Sequence, residues 1–502
     1  MCIKVKNYAE TVIGDDMDIT CSLKKNTAVV KKVFEGADDI IFRGFQSGQR
    51  LCFMVYADNI VDGATIESAV LTNIMVRSSE KESISEINEQ AIAVGETKKL
   101  YTFEEVFDAV LLGDTVVFTE NDNAALEIST KNWPSRGIPK AENEAVFQGP
   151  NDAFTEQGSI NTVLIRRRIR DTALKVKRMK CGRRSKTDVA VMYISGLAEE
   201  SLVKKVITQI GNLDVDAVFD SGYLQQFVEK NSFSPFPQLQ ITERPDKAAS
   251  ALLEGRVAVV VDNSPTVIMV PAGLDMFFQA SEDYYERWEI MSVLRLLRFI
   301  AGFVSYSLAG FYIAVTVFEP SMIPAQLAFK IAEGRTNVPL PTIAEVLIME
   351  FAFELLREAC IRLPSSAGSA LGIVGGIIIG QAAVEAGIVG PAVVIIAAAG
   401  GICSFCIPNT GISASFRLIK YFVIAMSSFL GVFGFFVAQL LILSHLSALE
   451  SYGMPYMYPF CTWKNDSDAL NDSLIRAPIW LMKKRPAFAS EKTRMKERKG
   501  GK

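Results

Sequence analysis

The chain predicts a two-part molecule: an α/β soluble N-terminal region of two related subdomains, followed by an α-helical polytopic membrane domain. Three observations carry this. Most charge lies before residue 295 and most long apolar runs after it, in a chain that is 49% hydrophobic and 22% charged overall. Two N-terminal segments, FEEVFDAVLLGDTVVFTENDNAALEI (103–128) and PDKAASALLEGRVAVVVDNSPTVIMV (245–270), align without a gap. The stretch FIAGFVSYSLAGFYIAVTVF (299–318) is twenty uncharged residues, enough to cross ~30 Å of hydrocarbon as a helix.

The N-terminus has no apolar core of a signal peptide, which predicts that the first 290 residues stay in the cytoplasm. The eight cysteines are scattered, with no framework of secreted type. A net charge of −4 singles out no partner for the chain as a whole. No phosphate loop, metal-ligand spacing or nucleophile elbow is present in the first half, so catalysis, cofactors and metals are not expected.

The aligned segments each read as a short helix, a Gly turn (Gly113, Gly255), a strand, an Asn turn (Asn121, Asn263) and a second strand. Another strand–helix pair precedes each, with Tyr56 and Tyr193 in matching places. This predicts one subdomain over 1–130 and a second over 188–285, joined by a basic connector, 131–187. Between Arg166 and Lys186 the connector carries eleven Lys/Arg and one acid. Without interleaved aromatics the run does not suit nucleic acid. Arg166, Arg167, Arg168 and Arg170 are therefore expected at a membrane surface or a subunit contact, a solvated helix face being the plain alternative.

The helical membrane domain is expected over 286–450. Arg295 and Arg298 flank the first span and place that side in the cytoplasm, with Trp288, Tyr284 and Tyr285 as interfacial anchors. After a loop holding four prolines comes TIAEVLIMEFAFELLREACIRLP. Thr342 and Glu345 have capping-box spacing, and Pro364 ends the helix. Glu350, Glu354, Arg357, Glu358 and Arg362 share one face. Five charges disfavour a lipid-facing crossing, so the stretch 343–361 is expected not to cross, or to be re-entrant. Arg357 has the spacing to pair with Glu354, and Arg362 with Glu358.

Gly368, Gly372, Gly376 and Gly380 then form a bare stripe suited to close helix packing or an oligomer axis. Gln381 and Glu385 follow one turn apart, and an ionisable group there raises an ion pathway, snorkelling to the interface being the alternative. A second apolar helix runs from Pro391, and a last apolar run is Tyr421–Ser444, preceded by Arg417 and Lys420. The tail, 451–502, is basic and expected in the cytoplasm. Both ends inside imply an even number of crossings, here about four.

NTVLIRRRIR, EDYYERW, SVLRLLRF, EPSMIP, EVLIMEFAFELLREACIRLP and IGQAAVEAGIVGP together closely resemble the GerA family of spore germination proteins. Within it they are similar to the A subunit of nutrient germinant receptors and to its paralogue encoded with the SpoVA proteins. At FQGPNDAF the chain departs from a common family form, which has arginines where Gln148 and Asn151 stand. The resemblance implies the inner membrane of the dormant spore, with the soluble half facing the core. It implies a permease-like B subunit that senses nutrient, a lipoprotein C subunit, and a ring-shaped homo-oligomer, a pentamer, passing monovalent cations. On that reading Glu350, Glu354, Glu358, Gln381 and Glu385 are the candidate ion-path residues, Glu354 and Glu358 first. The alternative is a non-conducting membrane-anchored signalling scaffold.

Overall fold

A computed structural model describes residues 9, 17–47, 50–67, 97–133, 138–141, 144, 146–362, 378–461, 463, 469–491 and 493–494. The soluble half holds two five-stranded sheets with the same strand order. The first is built from α1 (Leu23–Val33), β1 (Ile40–Ser47), β2 (Arg50–Ala57), β3 (Thr97–Leu100), α2 (Phe103–Leu112), β4 (Thr115–Thr119) and β5 (Ala125–Ile128), in the order β1-β2-β4-β5-β3. The second is built from α3 (Gly158–Arg168), β6 (Leu174–Cys181), β7 (Thr187–Ile194), α4 (Glu200–Gly211), α5 (Ser221–Val228), β8 (Gln240–Thr242), α6 (Pro245–Leu253), β9 (Val257–Val261) and β10 (Val267–Val270), in the order β6-β7-β9-β10-β8.

The gapless alignment is therefore a structural repeat. Its helix, strand and strand fall on α2, β4 and β5 in one copy and on α6, β9 and β10 in the other. Gly113 and Gly255 both take the left-handed conformation, at φ 92° and 91°, and Asn121 and Asn263 do so at φ 68° and 65°. Glycine meets no Cβ penalty there, and asparagine tolerates it.

The repeat extends further than its sequence signal. In the first copy the Asn26 amide binds the Thr20 carbonyl at 2.6 Å and its Oδ1 accepts from Thr20 N at 3.0 Å. In the second copy Asn161 does the same to Thr155, at 2.6 and 2.8 Å. Each asparagine clamps the chain entering its helix, and both are buried. Asn161→Ala leaves the Thr155 groups unpartnered at a site closed to water. We expect a loss of ~1–3 kcal/mol, read as a lowered thermal midpoint of the purified protein.

The stretch read as a connector thus contributes to the second sheet: β6 pairs with β7 from Leu174↔Ile194 to Cys181↔Thr187. Leu174, Lys175 and Val176 are buried while Lys177, Arg178 and Lys180 are exposed, so no period-two alternation marks this strand in the sequence. Arg166 is not a membrane-surface residue. It is 1% exposed and joins the two subdomains, with Nε 2.5 Å from Asp39 Oδ2 and Nη2 3.2 Å from the Leu174 carbonyl. Lys175 lies beside it, its Nζ 2.7 Å from the Val33 carbonyl. Burial and the Arg166 charge push its pKa down to about 8. Arg168 forms a forked pair with Asp152 at 2.6 and 2.7 Å. Arg167 and Arg170 line an open groove with Lys140 and Asn151.

The helical half consists of α7 (Trp288–Ile313, continued by a wider turn over Ala314–Phe318), α8 (Ala325–Glu333), α9 (Thr342–Arg362), a turn over Ile378–Ala382 leading into Ala383–Glu385, α10 (Pro391–Phe405) and α11 (Thr410–Ala448). Two helices, 288–318 and 410–448, are long and apolar enough to cross a membrane. The second is not one straight helix. Gly431 has φ 60° and ψ −139°, outside the helical region. Tyr306 stacks 5.2 Å from Phe416 and hydrogen-bonds Gln439 at 2.9 Å. On a straight helix those two residues would lie ~35 Å apart. The last apolar run is therefore a hairpin whose arms, 410–430 and 432–448, both have their open ends toward the soluble half.

That open end is held by a loop from the second subdomain. Phe236 is 1% exposed and sits 6.1 Å from Phe416 and 6.0 Å from His445, one on each arm. Ser415 Oγ donates to the Pro235 carbonyl at 2.5 Å, and Ser234 Oγ is 2.9 Å from His445 Nε2. The base of α7 is fixed by charge. Arg295, fully buried, meets Asp283 at 3.0 Å and Asp472 at 2.9 Å, and Arg298 meets Asp283 at 2.7 Å. The sequence marks Arg295 only as a flank of the first span. It is instead the centre of a knot joining the soluble half, α7 and the C-terminal segment.

Candidate functional site

The residues expected along an ion path centre on α9. It begins at Thr342, as the capping-box spacing predicts, but Glu345 does not turn back to cap it. Glu345 is fully buried; its Oε1 takes Arg335 at 3.0 Å and its Oε2 accepts from Gly390 N at 2.7 Å, at the start of α10. Further along, Arg357 donates to Ser404 Oγ and lies 4.1 Å over the Phe405 ring, near the end of α10. The two helices therefore run side by side in the same direction.

Between these points two carboxylates face the hairpin. Glu350 pairs with Lys420, their side chains 2% and 7% exposed, and Glu354 pairs with Arg417. Lys420 Nζ also lies 5.6 Å from the Tyr421 ring. The first hairpin arm runs opposite to α9, so charges four apart on one helix meet charges three apart on the other. The local pairing of Arg357 with Glu354 is replaced: Glu354 binds Arg417, and Arg357 turns to α10. Arg362 lies where only the backbone is described.

This orientation inverts the expected one. Glu350, Glu354 and Arg357 turn toward the hairpin and α10, while Leu347, Ile348, Phe351 and Leu355 stand exposed on the outside, as does Glu358. A helix lying on a surface exposes its charges. One surrounded by lipid hides them against partners, because an unpaired charge at membrane depth is costly. The ladder also accounts for Arg417 and Lys420, the two cations that precede the last apolar run. They sit within an apolar helix because each meets a carboxylate. That signal was available in the sequence as two cations entering an otherwise apolar run.

Glu358 is exposed on α9, and Gln381 and Glu385 are exposed on the segment preceding α10. Gln381 Nε2 donates to Glu385 Oε1 at 2.8 Å. Gly380 packs within its own chain, since a Cβ there would stand 3.4 Å from Val394 Cγ1 of α10. Gly368, Gly372 and Gly376 lie outside the described residues. The site thus divides into an inward set, Glu345, Glu350 and Glu354, each met by a cation, and an outward set, Glu358, Gln381 and Glu385. Among the described residues no cluster of three or more His, Cys, Asp or Glu is placed to hold a metal.

Comparison with known proteins covers nearly the whole chain. The model of the Bacillus/Clostridium GerA spore germination protein matches residues 28–488. Spore germination protein KA of Bacillus subtilis is 38% identical over 96% of this chain and 89% of its own length. Spore germination protein A1 of the same organism is 35% identical, over 91% of this chain and 92% of its own. Its stage V sporulation protein AF is 29% identical, over 88% and 90%. Among solved structures, the N-terminal domain of the A subunit of the Bacillus megaterium spore germinant receptor GerK3 matches at 30% identity and a TM-score of 0.41, covering 51% of this chain and 96% of that one.

Proposed function

Because this chain belongs to the GerA family of spore germination proteins, we propose that it is the A-type membrane subunit of a nutrient germinant receptor, and that its copies form a ring, a pentamer, passing monovalent cations. Spore germination proteins KA and A1 share 38% and 35% identity with it, against 29% for the stage V sporulation protein. On this reading its soluble half faces the spore core from the inner membrane, and a permease-like B subunit and a lipoprotein C subunit complete the receptor. On this reading helix α9 is itself a crossing helix, packed beside α10 and the first hairpin arm, and not a charged helix lying outside four crossings.

The observation that carries the reading is the outward pair Gln381–Glu385. It is exposed on a single copy, beside the apolar helix α10. A carboxylate cannot face lipid cheaply, so another copy must cover it or water must reach it, and a ring around an aqueous axis does both. Held near a low-dielectric wall, such a group attracts cations and repels anions more strongly than in open water. The inward ladder is already neutralised by Lys420 and Arg417. It therefore holds the wall rather than lines the path, which removes Glu354 from the first rank and sets Glu385 beside Glu358 there.

Flux of K⁺ through purified protein in liposomes tests this. Native protein should conduct, and Glu385→Gln should assemble equally but lose preference for K⁺ over Cl⁻. Protein that assembles yet conducts nothing leaves the scaffold reading in its place.

A further inference from the structure

We infer that the C-terminal segment Leu470–Leu481 is a collar on the bilayer surface, laid against the base of the first membrane helix with its apolar side chains in the headgroup–acyl boundary. The inference rests on the reading of α7 as membrane-crossing. Two contacts fix the level of the segment. Arg295 Nη1 donates to the Asp472 carbonyl at 2.8 Å, and Ser292 Oγ to the Arg476 carbonyl at 3.1 Å. Both belong to the first two turns of α7, just before its uncharged span begins at Phe299. That is the depth of lipid headgroups.

At this level the segment exposes large apolar side chains in quick succession: Leu474 at 38%, Ile475 at 59%, Ile479 at 50%, Trp480 at 65% and Leu481 at 57%. Soluble surfaces rarely carry so dense an apolar run without a partner. The occupant is lipid for three reasons. The adjoining helix exposes Val293 and Leu297 at the same depth and continues outward with Ile300, so the apolar surface runs on into the lipid-facing side of the span. Tryptophan is the side chain enriched at the membrane–water boundary. Exposed Lys483 and Lys484 follow directly, where anionic headgroups attract cations.

The far end of the segment is tied to the second subdomain. Ser490 N donates to the Leu197 carbonyl at 2.8 Å and Arg485 Nε to the Leu253 carbonyl at 3.0 Å. Phe488 lies 4.5 Å from the Arg256 guanidinium. The collar therefore fixes the tilt of that subdomain over the membrane as well as gripping α7.

The test uses the full chain and its Trp480→Phe variant in vesicles of phosphatidylcholine and phosphatidylglycerol. Trp480 is mostly exposed, so the substitution leaves the core untouched, and the difference between the two emission spectra is the Trp480 signal. We expect that signal to be blue-shifted, to be lost in lipids brominated near the carbonyl end, and to survive aqueous iodide. Quenching by iodide and not by bromolipid places the collar in water and overturns the proposal. Quenching by neither means that protein covers it, and overturns it equally. Failure of both proteins to float with the vesicles refutes the membrane reading itself, through a readout independent of Trp480.

Discussion

Glu350→Gln should destabilise the helical half by ~3–5 kcal/mol, the cost of leaving one member of a buried ion pair without the other. The variant keeps the shape of the side chain and removes its charge. Lys420, 7% exposed, is then left facing a neutral amide inside a wall of apolar helices. Lys420→Met should cost a similar amount by stranding the carboxylate. The double variant should recover most of the loss, since two neutral groups of similar volume have no charge left to solvate. Yield of monodisperse protein and its thermal midpoint in detergent read all three. If Glu350→Gln is as stable as the native chain, then water reaches Glu350 and the ladder belongs to the ion path after all. Glu354→Gln is the contrast. Its pair with Arg417 is 35% and 27% exposed, so screening weakens it and the loss should be smaller.

Gly431→Ala should strongly damage the membrane half. Two costs add. At φ 60° and ψ −139° the backbone sits where only glycine is at ease, worth ~1–3 kcal/mol for a side-chain-bearing residue. A Cβ there would also stand 2.7 Å from Phe318 Cγ and 2.9 Å from its Cβ, and overpacking of that kind costs a further ~1–3 kcal/mol. The sum is comparable to the whole stability of many domains. Folded protein should therefore fall sharply, measured as yield after membrane extraction. Adding Phe318→Ala should restore part of it by removing the clash and not the strain. Full restoration would mean that the backbone conformation costs nothing. An unaffected Gly431→Ala single variant would mean that the chain does not reverse there.

The two sheets were legible because short apolar runs, a Gly turn and an Asn turn recur at matching places, and all of these are local. The boundary of the second copy was not, because β6 buries Leu174, Lys175, Val176 and Cys181 without alternation, and one of these is itself a cation. What buries Arg166 is Asp39, far away in the other subdomain, and no periodicity reports such a partner. The same limit governs the candidate site. The spacing on α9 put Glu350, Glu354 and Glu358 on one face, and the fold divides them, the first two meeting the hairpin and Glu358 lying exposed. Whether that face meets water or another helix depends on Arg417 and Lys420, which lie across the fold. Hydropathy found the apolar run after Lys420 and could not see that it turns back, since a single glycine among apolar residues leaves the mean hydropathy unchanged. The exposed Gln381–Glu385 pair was read from i, i+4 spacing alone, and that contact is local enough to survive.

The hairpin has a mechanical consequence. Its two legs share one pivot, Gly431, which bears on Phe318 at the end of the first membrane helix. Its feet are spread around Phe236, a wedge belonging to the soluble half. Two stiff rods joined at a pivot and parted at the feet behave as a pair of tongs. Withdrawing or rotating the wedge changes the spread of the feet, and the rods carry that change as a swing of the pivot at the opposite end of the hairpin. No helix has to bend along the way. The second α/β subdomain thus has a rigid linkage to the far end of the helical half.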